Sequence, residues 1–162
     1  MNSLMWNQRK GFYFDYNYKH KNQSGFLSVA GFYPLWAKMA THMQAKKVAD
    51  NLHEFEYDWG IANTQSTGLS DEYKQHDYPN GWPHQQWIVI RGLMNYGFKE
   101  DALRIATKFL RLNKKLFQKT GKFWEKFNVV KGEIGKSERY VSQSGFGWTN
   151  AVFVRLVDKF SS

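Results

Sequence analysis

Residues 102–119 carry an apolar stripe that leaves little freedom in how the chain can fold. Ala102, Ile105, Ala106, Phe109, Leu112 and Leu116 recur every three or four residues, with charged side chains between them. That spacing predicts an amphipathic helix, with Asp101 as its cap and Gly121 as its end. Just upstream, residues 84–96 read as another helix. It would bury Trp87, Ile88, Leu93, Met94 and either Ile90 or the stem of Arg91, and Gly97 would end it. The connection Gly97-Phe98-Lys99-Glu100 is short, so the two helices must form an antiparallel hairpin. A chain with such a hairpin at its centre is expected to be all-α, built from helix pairs.

The flanking stretches fit that class. Residues 12–16 (Phe-Tyr-Phe-Asp-Tyr) are strand-like, and 18–26 are a polar loop. Residues 27–39 read as a mostly apolar helix interrupted at Pro34, where a proline kinks or restarts a helix. Thr41 is a cap for a helix over 42–55, with Met43, Ala45, Val48, Ala49, Leu52 and Phe55 on one face. Glu54, Glu56 and Asp58 alternate at its end. They read as exposed carboxylates scattered over different faces rather than as a catalytic or metal-binding cluster. Residues 60–74 form a long polar loop of the kind that is usually functional or disordered. Residues 123–130 are extended, 132–135 are a loop, and the last helix runs 151–160 with Val152, Phe153, Leu156 and Val157 apolar. About five helices result, in one domain covering 1–162.

Composition narrows the function classes. There is no Cys, hence no disulfide and no thiolate metal site. The five His show no metal-ligand spacing, so neither metal nor cofactor is expected. The net charge is +9, and residues 99–139 hold twelve Lys or Arg against five Asp or Glu. These charges occupy the polar positions of the amphipathic helix and the loop after it. With no recognition signature beside them they read as a solvated basic face, not as a nucleic-acid partner surface. No apolar run approaches the ~18 residues of a membrane span, so no membrane association is expected. The N-terminus has no signal-peptide character. It leaves the location open: cytoplasmic as the chain stands, periplasmic or secreted if residues precede Met1.

The chemistry concentrates in Gln75-His76-Asp77-Tyr78-Pro79-Asn80-Gly81-Trp82-Pro83. Pro-Asn-Gly makes a turn, and Pro83 suits the first turn of the following helix. The turn therefore delivers Gln75, Asp77, Asn80 and the aromatics Tyr78 and Trp82 to one helix N-terminus. Aromatic faces cover the apolar side of a sugar ring, and carboxylates and amides take its hydroxyls. A well-capped helix with a buried Trp explains the same residues equally well.

Two further segments resolve the ambiguity. They are Phe123-Trp124-Glu125-Lys126-Phe127-Asn128-Val129 and Glu138-Arg139-Tyr140-Val141-Ser142-Gln143-Ser144-Gly145-Phe146-Gly147-Trp148-Thr149-Asn150. With the turn above, in this order, they resemble three signatures of the trehalase family of glycoside hydrolases: Q-W-D-Y-P-N-G/A-W-P-P, E-K-Y-[DN]-V and G-G-E-Y-x-x-Q-x-G-F-G-W-T-N-G. Phe32-Tyr33-Pro34-Leu35-Trp36-Ala37 is similar to the family's F-x-P-L-W-A, and Gly60-Ile61-Ala62-Asn63-Thr64 is a poorer match to G-[GI]-x-P-T-S. The resemblance covers roughly residues 4–158.

What the resemblance implies is an (α/α)6 barrel that hydrolyses α,α-trehalose to glucose with inversion, using an aspartic general acid and a glutamate general base. Glu125 would be that base. Inversion needs its carboxylate about 6.5–9.5 Å from the acid, to seat a water at the anomeric carbon. Gln75, Asp77, Asn80, Trp82, Glu138, Phe146 and Trp148 would bind the sugar or wall its site. The sequence departs from the signatures at His76, where the family has Trp, at Lys136-Ser137 in place of Gly-Gly, and at Ser144 in place of an acid. These changes leave room for another glucoside as substrate. The segment bearing the general acid has no counterpart. The chain therefore reads as the C-terminal part of a barrel, expected to be inactive alone and to need its missing half or self-association. A non-catalytic, sugar-binding remnant of the same fold is the alternative.

Overall fold

The computed structural model describes residues 1–66 and 74–160. Of the 60–74 loop expected from the sequence, residues 67–73 lie outside them, and Gly60–Ile61 is strand.

The N-terminal third is made of short hairpins laid on an aromatic cluster. β1 (Trp6–Asn7) pairs with β2 (Phe12–Tyr13), and β3 (Tyr16–Asn17) pairs with β4 (Asn22–Gln23), both antiparallel. The strand expected over 12–16 is thus split between two hairpins. Phe12 packs against Phe32 and Phe55 with ring centroids 5.7 and 5.8 Å apart. Gly31 faces the Phe12 ring so closely that any side chain there would collide with it.

The helix expected over 27–39 is much shorter. A 3₁₀ turn at Val29–Phe32 leads into the single-turn α1 (Tyr33–Trp36). Pro34 sits in that first turn, where its missing N–H costs nothing. Lys38 then adopts a left-handed backbone (φ 56°), which stops the helix.

Thr41 caps α2 (His42–Asp50) through a capping box. Its hydroxyl accepts from the Gln44 amide, and the Gln44 side chain accepts from the Thr41 amide. The helix ends earlier than its apolar pattern suggests. Leu52 and Phe55 reach the core from a 3₁₀ turn at Leu52–Glu54 and the residue after it. β5 (Glu56–Tyr57) and β6 (Gly60–Ile61) form the next hairpin.

Glu56 corrects the expectation of three exposed carboxylates. Its side chain is only 12% exposed, and it accepts from Arg104 at 2.8 and 2.9 Å and from Lys108 at 2.7 Å. Burial pushes its pKa up, but the two cations outweigh that and hold it below the usual carboxylate value. Glu54 and Asp58 are exposed, as expected.

β7 (Asn80–Gly81) leads through Trp82 into α3 (Pro83–Asn95), with Pro83 at its start. Its buried residues include Val89, Ile90 and Leu93, while Trp87, Ile88 and Met94 are only partly covered. α4 (Lys99–Thr120) begins earlier than predicted. Asp101 is not its cap. It lies inside the first turn, where a carboxylate suits the helix dipole, and pairs with Arg104 at 2.7 Å. All six residues of the predicted stripe are buried, and Gly121 (φ 67°) ends the helix.

β8 (Phe127–Asn128) and β9 (Glu133–Ile134) pair as a hairpin, and β7 adds to it in the order β7–β8–β9. The predicted 132–135 loop is therefore partly strand. α5 (Gly147–Phe160) closes the described chain. α3 is the hub: α1, α4 and α5 all pack on it, and α4 also packs on α5. The fold is thus helical, with five α-helices among the described residues joined by two-residue strands. The small three-stranded sheet draws residues 80–81 and 127–128 to the same end of α3.

Candidate active site

Glu125 is positioned by strand-like pairing across the molecule. Its backbone N–H donates to the Gln143 carbonyl at 2.9 Å, and Trp124 bridges to Ser144. The Thr149 hydroxyl, in the first turn of α5, donates to the Trp124 carbonyl at 2.7 Å. The extended segment is therefore bolted between the small sheet and the chain leading into α5.

Glu125 is 3% exposed, and its carboxylate is met by donors at both oxygens. Oε1 accepts from the Tyr140 hydroxyl at 2.7 Å. Oε2 accepts from Lys126 Nζ at 3.0 Å and, more weakly, from the Gln143 N–H at 3.4 Å. Lys126 is itself completely buried. Its ammonium lies over the rings of Tyr140 (4.2 Å) and Trp82 (5.4 Å), so aromatic faces and one carboxylate replace its water shell. Burial, and then the Glu125 carboxylate, push the Tyr140 phenol up to about 12. Tyr140 therefore stays a donor throughout the physiological range.

Trp82 connects this buried pair to the surface. It is 2% exposed; its indole N–H donates to the Gln75 carbonyl at 2.8 Å and its backbone N–H to Asn63 Oδ1 at 3.2 Å. His76 stacks on the indole at 4.5 Å with planes 11° apart. Trp148 meets the indole edge-on at 5.4 Å, and Trp148 also contacts His84 (4.6 Å) and Phe146 (4.8 Å).

Beside His76 opens a cavity of about 310 Å³ lined by Lys74, Gln75, His76, Asp77, Ser137, Glu138 and Arg139. That volume is at the small end of the range for ligand pockets. Of the residues expected from the sequence, Gln75, Asp77 and Glu138 line this cavity. Asn80 and Trp82 do not. Asn80 is fully buried and clasps two loops, its amide donating to the carbonyls of Lys74 and Lys136 at 3.2 and 2.8 Å. Trp82 lies beneath His76 and offers no free face to a ligand. Glu125 lies deeper, among Lys126, Tyr140 and Gln143. Phe146 and Trp148 form a neighbouring aromatic group around His84.

Several participants were not anticipated: Lys126, Tyr140 and Gln143 around Glu125, and Lys74, Ser137 and Arg139 in the cavity wall. Tyr140 had a signal in the quoted signature, which places a tyrosine directly after its glutamate. Here Arg139 stands between Glu138 and Tyr140. Counting back from Gln143 therefore puts Arg139, not Glu138, at the signature's glutamate position. Among the described residues no cluster of three or more His, Asp or Glu stands close enough to hold a metal ion, and no helix is long and apolar enough to cross a membrane.

The chain is similar to known proteins along nearly its whole length. The chain is 35% identical over 155 residues to a periplasmic trehalase of Escherichia coli O8, a match that covers 95% of this chain and 27% of that protein. It is 34% identical over 172 residues to a cytosolic neutral trehalase of Beauveria bassiana, covering 95% of this chain and 23% of that protein. The fold superposes on the neutral trehalase of Saccharomyces cerevisiae with a TM-score of 0.84 at 33% identity, covering 97% of this chain and 28% of that one. The chain thus spans about a quarter of the length of the relatives it matches, and those relatives occupy both periplasm and cytosol. The trehalase family model matches residues 1–161, and the chain belongs to the trehalase family.

Proposed function

We propose that this chain supplies the general-base side of an inverting, trehalase-type glycoside hydrolase and forms the C-terminal part of an (α/α)6 barrel. The observation that supports this reading best is the treatment of Glu125. The fold buries a carboxylate at the end of α3 and spends a tyrosine hydroxyl, a buried lysine and a backbone N–H on fixing it. Leaving a charge in such a place is expensive unless it is paired and hydrogen-bonded. A carboxylate retained there and fixed in orientation suits the removal of a proton from an attacking water.

In this reading Glu125 takes the proton as the water adds to the anomeric carbon. The general acid, supplied by a segment outside these 162 residues, protonates the leaving oxygen from about 6.5–9.5 Å away. Gln75, Asp77 and Glu138 take sugar hydroxyls in the cavity, Phe146 and Trp148 wall the approach, and Asn80 and Trp82 hold the loop that carries them. The substrate is α,α-trehalose or a related glucoside.

A second reading, a sugar-binding chain without turnover, is favoured by the 3% exposure of Glu125 and the occupancy of both its oxygens. Calorimetric titration with trehalose and with a validamine-type inhibitor, run beside a glucose-release assay, separates the two. Binding with glucose release supports a hydrolase, and binding without release supports the second reading for the chain alone. Absence of both removes the sugar-site proposal. Where turnover is found, Glu125→Gln should abolish it and spare binding; retained turnover would remove Glu125 from the mechanism.

A further inference from the structure

We infer that His76 is a specificity-determining residue of the cavity, donating a hydrogen bond from its ring Nε2–H to a hydroxyl of the bound saccharide. The inference rests on the sugar-site reading above and adds to it the group that replaces an aromatic face.

The geometry leaves the imidazole few choices. Its plane is fixed by the 11° stack on Trp82, and Trp82 is fixed in turn by its bonds to Gln75 and Asn63. With the indole 2% exposed, the ring presented to the cavity is the imidazole.

The tautomer follows from Asn63. The Trp82 backbone N–H is a donor, so the Asn63 atom facing it must be the carbonyl Oδ1. The other end of that amide is then the NH2 group, which lies 3.4 Å from His76 Nδ1. Two donors cannot face each other, so Nδ1 accepts and the proton of the neutral ring sits on Nε2. Among the described residues Nε2 has no partner. Because His76 lines the cavity, this unused donor is available to a ligand.

The protonation state is consistent with that role. Burial lowers the His76 pKa from its ordinary 6.5. Asp77 and Glu125 oppose the shift and Lys126 adds to it, with His84 the other titratable ring beside Trp82. The ring is therefore neutral above neutral pH, with Nε2–H intact. An indole at this position, as in the family signature, would offer a broad apolar face. The imidazole offers a smaller ring with a polar edge, which favours ligands that place an acceptor hydroxyl against it.

The test is calorimetric titration of the 162-residue chain with trehalose, maltose and glucose, at pH about 7.5, for the unaltered protein and for His76→Phe and His76→Gln. Phenylalanine keeps a ring to stack on Trp82 and removes the donor; glutamine keeps an N–H near the Nε2 position and removes the ring. The expected result is a loss of about tenfold in affinity for His76→Phe, the equivalent of one hydrogen bond, with most of the affinity retained in His76→Gln. Unchanged thermal unfolding of His76→Phe would show that the loss is not structural. Equal affinity in the unaltered and His76→Phe chains would overturn the inference and leave the sugar site standing. Failure of the unaltered chain to bind any of the three sugars would overturn both.

Discussion

At the scale of single residues, the Glu125–Lys126 pair is the decisive feature. Both groups are buried, and among the described residues each is the other's only opposite charge in contact. Removing one partner of such a pair strands the other in a low-dielectric site. Lys126→Met should therefore destabilise the fold by about 3–5 kcal/mol, a large fraction of a small domain's stability. Lys126→Met combined with Glu125→Gln should recover much of that loss, because no unpaired charge remains. Urea unfolding of the two variants checks the order, and a double variant as unstable as the single would mean that Lys126 acts by packing alone.

His84 gives a second prediction at this scale. Burial, and then the neighbouring His76, lower its pKa below 6.5. The folded state therefore binds this proton less readily than the unfolded state does. As the pH falls below 6.5 the unfolded chain protonates first, so stability is lost on acidification and levels off once the folded ring is protonated as well. His76 shifts in the same direction. Urea midpoints measured between pH about 7.5 and 5 should fall in the unaltered chain and fall less in His84→Gln.

At the scale of elements, Trp59 joins three pieces of chain that are far apart in sequence. Arg111 and Lys115 of α4 lie over its ring at 4.5 and 4.3 Å, and they also donate to the carbonyls of Asp58 and Gly132. Gly132, in the β8–β9 turn, has φ 68°, and a Cβ there would come within 2.5 Å of the indole. Gly132→Ala thus combines left-handed strain of about 1–2 kcal/mol with overpacking of about 1–3 kcal/mol. Gly97→Ala, also left-handed at φ 86° but with open space around it, should show the strain alone. Thermal unfolding of both variants tests the ranking.

The same elements explain what could be read from the sequence. The α4 stripe is legible because Ala102, Ile105, Ala106, Phe109, Leu112 and Leu116 repeat over about four turns with no competing signal. The helix expected over 27–39 failed because Gly31 and Pro34 are there for packing and chain direction, not for helix continuity. The two-residue strands left no alternation to detect. The turn at 75–83 places Gln75, His76 and Asp77 in the wall of a cavity, whereas the bulk of Trp82 and the amide of Asn80, expected at the ligand, serve the framework beneath. The ring over Trp82 is His76, and only tertiary structure says which of two aromatic residues lies on top. Nor could local sequence reveal that Tyr140, fifteen residues from Glu125, would return to its carboxylate.

At the scale of the whole molecule, α5 carries apolar residues on two faces. Val152 and Leu156 are buried against the core, yet Val154 is 62% and Val157 37% exposed, with Ala151 beside them. A surface helix ordinarily sets charged residues opposite its buried stripe. Apolar residues on both sides are usual where a second layer covers the helix, and exposed patches of this kind drive association. Met39 and Met43, 51% and 71% exposed, are further exposed apolar side chains, just before and in α2. The charge of +9 opposes self-association by repulsion, and salt screens that repulsion. The isolated 162-residue chain should therefore self-associate, and more strongly at about 0.5 M salt than at about 0.05 M. Val154→Lys with Val157→Lys should return it to a monomer with little change in its thermal midpoint, because Val152 and Leu156, not these two, are the buried apolar residues of α5. Sedimentation velocity over a concentration series provides the reading. A chain that stays monomeric at high salt would mean that the exposed α5 face needs no cover, and a double variant that still associates would move the contact to the α2 side.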